Sequence, residues 1–219
     1  MFGIEVILLC KEKTFYSNSI TFVKSHKNMK IAILAWGSLI WQPKDLLLDT
    51  EFGWKEDGPI LPIEFARISK DGRLTLVITE NGSLVPTLYT LSKYETLDEA
   101  ILNLAVRESS GRRSIGSYDK SKNEFTLNVF FKEIIRDWIN EKDFDAVIWT
   151  NLGENWAIKN ESGETVKTIK PAERIEYLKS LKGNTRVLAE EYIRKTPVQI
   201  KTKYRAKIEA ELNWKPILK

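Results

Sequence analysis

Six apolar residues in a row, Ile31-Ala32-Ile33-Leu34-Ala35-Trp36, end abruptly at Gly37-Ser38. A strand with one wet face alternates apolar and polar, so this unbroken run predicts a central strand covered on both sides. Strands are further predicted over 62–69 and 73–79, where Asp71-Gly72 between two β-rich runs predicts a hairpin. Residues 85–91 and 145–150 read as strands, and 125–131 alternates like a half-buried one. Thr96 and Glu99 form a capping box ahead of Leu97, Ile101, Leu104 and Ala105, which predicts a helix, with Gly111 marking its far side. A short amphipathic helix is predicted over 132–140. Three helices are expected to close the chain. Pro171 and Gly183 bracket the first, with Ile175, Leu178 and Leu181 on one face; the second runs from about Thr185 to the approach of Pro197; the third spaces Ile200, Tyr204, Ile208 and Leu212 four apart.

At 219 residues and 42% hydrophobic content the chain can bury one sizeable core with a modest extension, and it contains no repeat or low-complexity tract. Its composition breaks at Met29. Before it, the apolar run from Ile4 to Cys10 is interrupted by Glu5, is too short to span a bilayer, lacks a basic leader, and gives way to polar residues. The expected division is therefore an N-terminal extension over 1–28, a working domain over 29–170 and a helical C-terminal elaboration over 171–219. A cytoplasmic location without a membrane partner is expected. The net charge of +4 is a thin excess of 34 basic over 30 acidic residues. A nucleic-acid partner is not expected, because Lys201, Lys203, Arg205 and Lys207 interleave with an apolar stripe that needs covering. Cys10 is the only cysteine and His26 the only histidine. That excludes an internal disulfide, Cys/His metal sites and Ser-His-Asp or Cys-His triads, and leaves carboxylates, lysine, tyrosine, hydroxyls and backbone amides for any chemistry.

Two positions stand out. At about 100° per residue, Glu108 projects between Leu97, Ile101 and Leu104, into the apolar stripe of its helix. A carboxylate in a partly apolar cleft is suited to act as a base; the alternative is a frayed helix end where Glu108 turns to solvent or pairs with Arg107, Arg112 or Arg113. The second position is the loop Trp36-Gly37-Ser38-Leu39, where glycine permits consecutive N–H groups to approach a carboxylate or oxyanion.

Trp36-Gly37-Ser38-Leu39-Ile40-Trp41-Gln42-Pro43 resembles the Tyr-Gly-Ser-Leu loop of the gamma-glutamylcyclotransferase superfamily, nearest to its ChaC-like branch. The stretch from Leu104 to Arg112, with Arg107-Glu108 and Gly111, resembles that branch's Arg-Glu-x-x-Gly block; Phe65 to Ser69, Gly72 to Thr75 and Val85 to Tyr89 resemble strands lying between the two. The resemblance spans about 30–150. It implies an α+β fold, a mixed β-barrel with flanking helices, and release of 5-oxoproline from a gamma-glutamyl amine or peptide. Glu108 would be the acid/base, Trp36, Gly37, Ser38 and Leu39 would bind the gamma-glutamyl end, and Arg67 and Arg73 would neutralise a substrate carboxylate. No metal or organic cofactor is implied. Three departures stand against the pattern: Trp36 replaces a tyrosine, Arg112 an aromatic residue, and the segment from Pro171 to Trp214 has no counterpart in compact members. A non-catalytic module of the same fold that binds a small acid is the rival reading.

A chain beginning at Met29 is expected to melt within a few degrees of the full-length protein, as a thermal scan would measure. A larger drop would assign the first apolar run to the core.

Overall fold

Strand β1 (Ile31–Ala35) is buried at all five positions. Neighbouring side chains of a strand point to opposite faces, and the two faces of β1 meet different partners. Ile31, Ile33 and Ala35 pack with Ala100, Ile101, Leu104 and Ala105 of helix α1 (Leu97–Arg107), whereas Ala32, Leu34 and the following Trp36 join a second, larger apolar cluster. The computed structural model describes residues 28–126, 129–160 and 162–217. The N-terminal extension expected over 1–28 therefore lies, but for Asn28, outside the described residues.

Around β1 runs a five-stranded mixed sheet of order β5-β1-β8-β6-β7, completed by β5 (Leu88–Leu91), β6 (Ile115–Asp119), β7 (Glu124–Thr126) and β8 (Ala146–Thr150). β1 and β8 are parallel, with Ile31 opposite Ala146, and the other pairs are antiparallel. A three-stranded antiparallel sheet, β3-β2-β4, is built from β2 (Ile60–Ile68), β3 (Leu74–Ile78) and β4 (Ser83–Pro86). Its buried side chains Leu61, Ile63, Phe65 and Leu74 belong to the larger cluster. Only Thr87 separates β4 from β5, so the chain steps directly from one sheet into the other. The fully buried Thr87 donates both its N–H and its hydroxyl to the Pro59 carbonyl.

The α+β class is as expected, but the described strands form three separate sheets, none closed into a barrel. Closure needs an unbroken ladder around the sheet. Here β7 has three described residues, and beyond β5 the sheet continues only as isolated bridges, Lys55 with Tyr89 and Leu48 with Ser92 just past the strand. The strand expected over 85–91 is two strands; of the one expected over 125–131, Phe125 and Thr126 belong to β7, 127 and 128 lie outside the described residues, and 129–131 form no strand, Phe131 taking φ 60° as it leads helix α2 (Lys132–Asn140). Strand β6 was not legible: Ile115-Gly116-Ser117-Tyr118-Asp119 does not alternate, and its glycine is demanded from afar. A Cβ at Gly116 would lie 2.4 Å from the fully buried Trp149 indole. The pair β9 (Ala157–Lys159) and β10 (Thr165–Thr168), mostly exposed, also lacks a pattern.

Of the C-terminal helices α3 (Arg174–Ser180), α4 (Gly183–Lys195) and α5 (Lys203–Leu212), α5 packs on β2, α4 on β3 and α3 on α5. Leu178, Ala189, Ile193 and Ile208 of these helices, with Ile200 in the segment ahead of α5 and not on the helix as expected, belong to the same cluster as the sheet, and Gly183, expected to close the first helix, opens α4 instead. Polar anchors set the docking. Glu64 of β2, 3% exposed, accepts the Thr202 hydroxyl at 2.5 Å and the Tyr204 N–H at 3.3 Å, so a carboxylate meets the N-terminus of α5. Arg174 donates to the Phe65 carbonyl at 2.9 Å, and its guanidinium lies 3.6 Å from the Tyr204 ring centre. No helix among the described residues is long and apolar enough to cross a membrane.

Because Ile208 is fully buried in the shared cluster, Ile208→Ala should destabilise the whole protein by about 2–5 kcal/mol in a single urea transition. A separate early transition would mean that the C-terminal helices form their own unit.

Candidate active site

The parallel pair β1 and β8 ends at one side of the sheet, the place where α/β sheets open crevices. There the structure holds a cavity of about 550 Å³. Its wall combines the loop after β1, the β2–β3 hairpin, the end of α1, the end of β8 and one residue of α4. Trp36, Gly37, Ser38, Leu39, Arg67, Arg73 and Glu108 all line it, so residues separated by up to 72 positions in sequence converge. The basic lining residues Lys44, Arg67, Lys70, Arg73 and Arg107 outnumber the carboxylates Asp71 and Glu108 by three charges.

Glu108 is held by the way α1 begins and ends. The Thr96 hydroxyl accepts the Glu99 N–H at 3.4 Å and fixes the helical phase. At the other end Ser109 takes φ 49°, and its N–H reaches Val106 while the Ser110 N–H reaches Ala105. This is a Schellman closure with serine, not the usual glycine, in the left-handed position. Gly111, read as the helix terminator, has φ −82° and does not supply that turn. Glu108 is thus the C-cap residue, its side chain 15% exposed. Oε1 accepts from Arg107 Nη1 at 2.5 Å, and Oε2 accepts no hydrogen bond among the described residues.

Arg107, which the sequence marks only as a candidate partner of Glu108, is the hub of the site. Its side chain is 7% exposed. Nη2 donates to the Ser38 hydroxyl at 3.1 Å and the Gln42 carbonyl at 2.7 Å, tying the end of α1 to the loop after β1. That loop makes a single turn, with Ile40 N–H to Gly37 and Gln42 N–H to Ser38. The N–H groups of Gly37, Ser38 and Leu39 precede these bonds and donate to nothing among the described residues, which leaves them available to an acidic oxygen.

Trp36 lines the cavity, but its indole N–H is already given to the Leu76 carbonyl at 3.3 Å. The Leu76 N–H is taken by the hydroxyl of Tyr192 on α4, also at 3.3 Å. One backbone unit of β3 therefore fixes both the loop and the C-terminal helix. Tyr192 explains Gly37: a Cβ there would lie 2.4 Å from the phenol oxygen and 3.4 Å from the ring carbon bearing it. Burial pushes the Tyr192 phenol up to about 12, with the Glu108 charge contributing in the same sense.

The hairpin arginines enter by different routes. The register of β2 against β3 shifts between Phe65 and Arg67, a bulge that lets Phe65 and Ile68 both reach the core and leaves Arg67 on the cavity wall. Arg67 donates to the Gly153 carbonyl at 2.8 Å, and burial lowers its pKa. Arg73 Nε lies 2.8 Å from Asp71 Oδ2, and its guanidinium lies 5.7 Å from the Tyr192 ring centre. Burial would raise Asp71, but hydrogen bonds from Arg73 and Ser69 outweigh it and hold the carboxyl below its ordinary value. Arg112, by contrast, pairs with Asp98 away from the cavity wall.

No family model matches the chain, and no curated protein or solved structure matches it either. Among the described residues no group of three or more His, Cys, Asp or Glu is placed to hold a metal ion.

Sequence reasoning missed Arg107 as a site residue and Tyr192 altogether. Tyr192 carries no local signal, being one aromatic position among the buried residues of α4. Gly37→Ala is expected to destabilise the protein by about 1–3 kcal/mol through overpacking against the phenol oxygen. In the Tyr192→Phe background the same change should cost less, because the 3.4 Å contact that remains is ordinary. A double-mutant cycle by urea denaturation measures this coupling; additive costs would contradict the contact.

Proposed function

We propose that the protein is a gamma-glutamylcyclotransferase-like enzyme of the cytoplasm, with the mixed-barrel fold of that superfamily as its ancestry and a gamma-glutamyl amine or peptide as its substrate. One observation carries the reading: the Glu108 carboxylate, the unspent amides of Gly37, Ser38 and Leu39 and the cationic side chains of the β2–β3 hairpin share one cavity. The net positive wall suits a substrate bearing carboxylates.

The chemistry needs little more. The loop amides and hairpin arginines hold the acidic end of the substrate, and Glu108 accepts a proton from its α-ammonium. The freed amine attacks the γ-carbonyl, so a new C–N bond closes a five-membered ring. The old amide C–N bond then breaks, and Glu108 returns the proton to the departing amine. The products are 5-oxoproline and a free amine, with no oxidant or second substrate consumed.

The Arg107–Glu108 ion pair favours the rival reading, a small-acid binding module in which Glu108 is structural. Glu108→Gln separates the two. Gln keeps the size and still accepts from Arg107 Nη1, but cannot take up the ammonium proton. With glutathione, gamma-glutamyl dipeptides and gamma-glutamyl amines as substrates, the wild type should release 5-oxoproline. The variant should lose about two to four orders of magnitude in turnover with its fold intact by circular dichroism. Release from none of these substrates, by a folded protein that binds a small acid, would establish the binding module; undiminished turnover in the variant would remove Glu108 from its role.

A further inference from the structure

One polar group on the cavity wall has no part in the reaction above. Tyr192 is 6% exposed and lines the cavity from α4. Its oxygen accepts the Leu76 N–H, but a phenol also has a hydrogen to give. Among the described residues that hydrogen goes to no acceptor. Its oxygen sits directly over Gly37, beside the loop whose amides are likewise unspent. With the phenol pushed up to about 12, the hydroxyl keeps its hydrogen across the ordinary pH range.

Other buried atoms nearby are in the same position. Arg107 Nε, Ser110 Oγ and Thr150 Oγ1 make no hydrogen bond among the described residues, and all three residues line the cavity. Buried polar atoms in folded proteins are nearly always satisfied. Their concentration on one wall, together with its positive charge, fits a small molecule rich in acceptor oxygens.

We propose that Tyr192 is a ligand-binding residue of this cavity, its hydroxyl donating to a carboxylate or carbonyl oxygen of a small acid held beside the Gly37–Leu39 loop. The proposal rests on the cavity being the site, as in the proposed function, but not on the cyclisation itself. It makes α4 part of the binding wall and ties ligand recognition to the C-terminal segment. The competing account is that Tyr192 only braces β3. Tyr177 of α3 supplies the comparison: its hydroxyl donates to the Gly72 carbonyl at 2.5 Å in the same hairpin, yet it does not line the cavity.

Titration calorimetry on the full chain with 5-oxoproline and with L-glutamate tests this. Tyr192→Phe should weaken binding of the acid roughly tenfold, the worth of a hydrogen bond to a charged group. Tyr177→Phe should lower the melting temperature without changing affinity. Should Tyr192→Phe prove poorly folded, the wild type with ring-labelled tyrosine gives the second measurement: the Tyr192 ζ-carbon resonance should move as L-glutamate is added. Unchanged affinity in Tyr192→Phe, equal weakening in Tyr177→Phe, a resonance that does not move, or a wild type that binds neither acid would each overturn the proposal. A wild type that releases no 5-oxoproline but binds L-glutamate through Tyr192 would sink the cyclisation and leave this inference standing. Turnover with an unaltered KM and affinity in Tyr192→Phe would do the reverse.

Discussion

Neither face of β1 can be left in water, and the rest of the structure is arranged around that constraint. Ile31 and Ile33 on one face and Ala32 and Leu34 on the other are at most 1% exposed. Helix α1 covers the first face, while the three-stranded sheet, with the C-terminal helices packed on it, completes the cluster on the second. Once both faces are covered, β1 can end only at a seam between the two layers. The cavity lies at that seam.

The seam is held open and shaped by polar contacts. Arg107 bonds to Glu108, Ser38 and Gln42, so the helix covering one face grips the loop leaving the strand. Leu76 is bonded through both its carbonyl and its N–H, to Trp36 and Tyr192, so the sheet covering the other face grips the same loop and α4. A buried ion pair is weak evidence for stability, since desolvating both charges offsets their attraction. The Arg107–Glu108 pair is better understood as positioning: it fixes one carboxylate oxygen and leaves the other without a hydrogen bond among the described residues. The replacement of glycine by Ser109 in the left-handed turn beside it is strain of the kind that gathers at working sites.

The C-terminal helices change the meaning of the cavity. As an appendage they would only thicken the core. Through Tyr192 they instead supply part of the wall and a buried hydroxyl, which occupies the space a side chain at Gly37 would need. A loop that resembles one family's binding loop is therefore constrained here by a segment with no counterpart in that resemblance.

Local pattern was enough for β1, the hairpin at Asp71-Gly72, the start of α1 and the amphipathic C-terminal helices, because each depends on the spacing of apolar residues or on a cap within a few positions. The phase of Glu108 was legible for the same reason. Strand β6 was not, since Gly116 answers to Trp149 on a neighbouring strand, and the break at Thr87 answers to Pro59 across the sheet. Nor could a sequence reveal that Trp36 spends its donor on Leu76, that a bulge puts Arg67 on the cavity wall, or that Tyr192 arrives over Gly37 from 155 positions away. Periodicity records which side of an element is buried. What lies against that side is a contact between distant segments, and only the folded chain decides it.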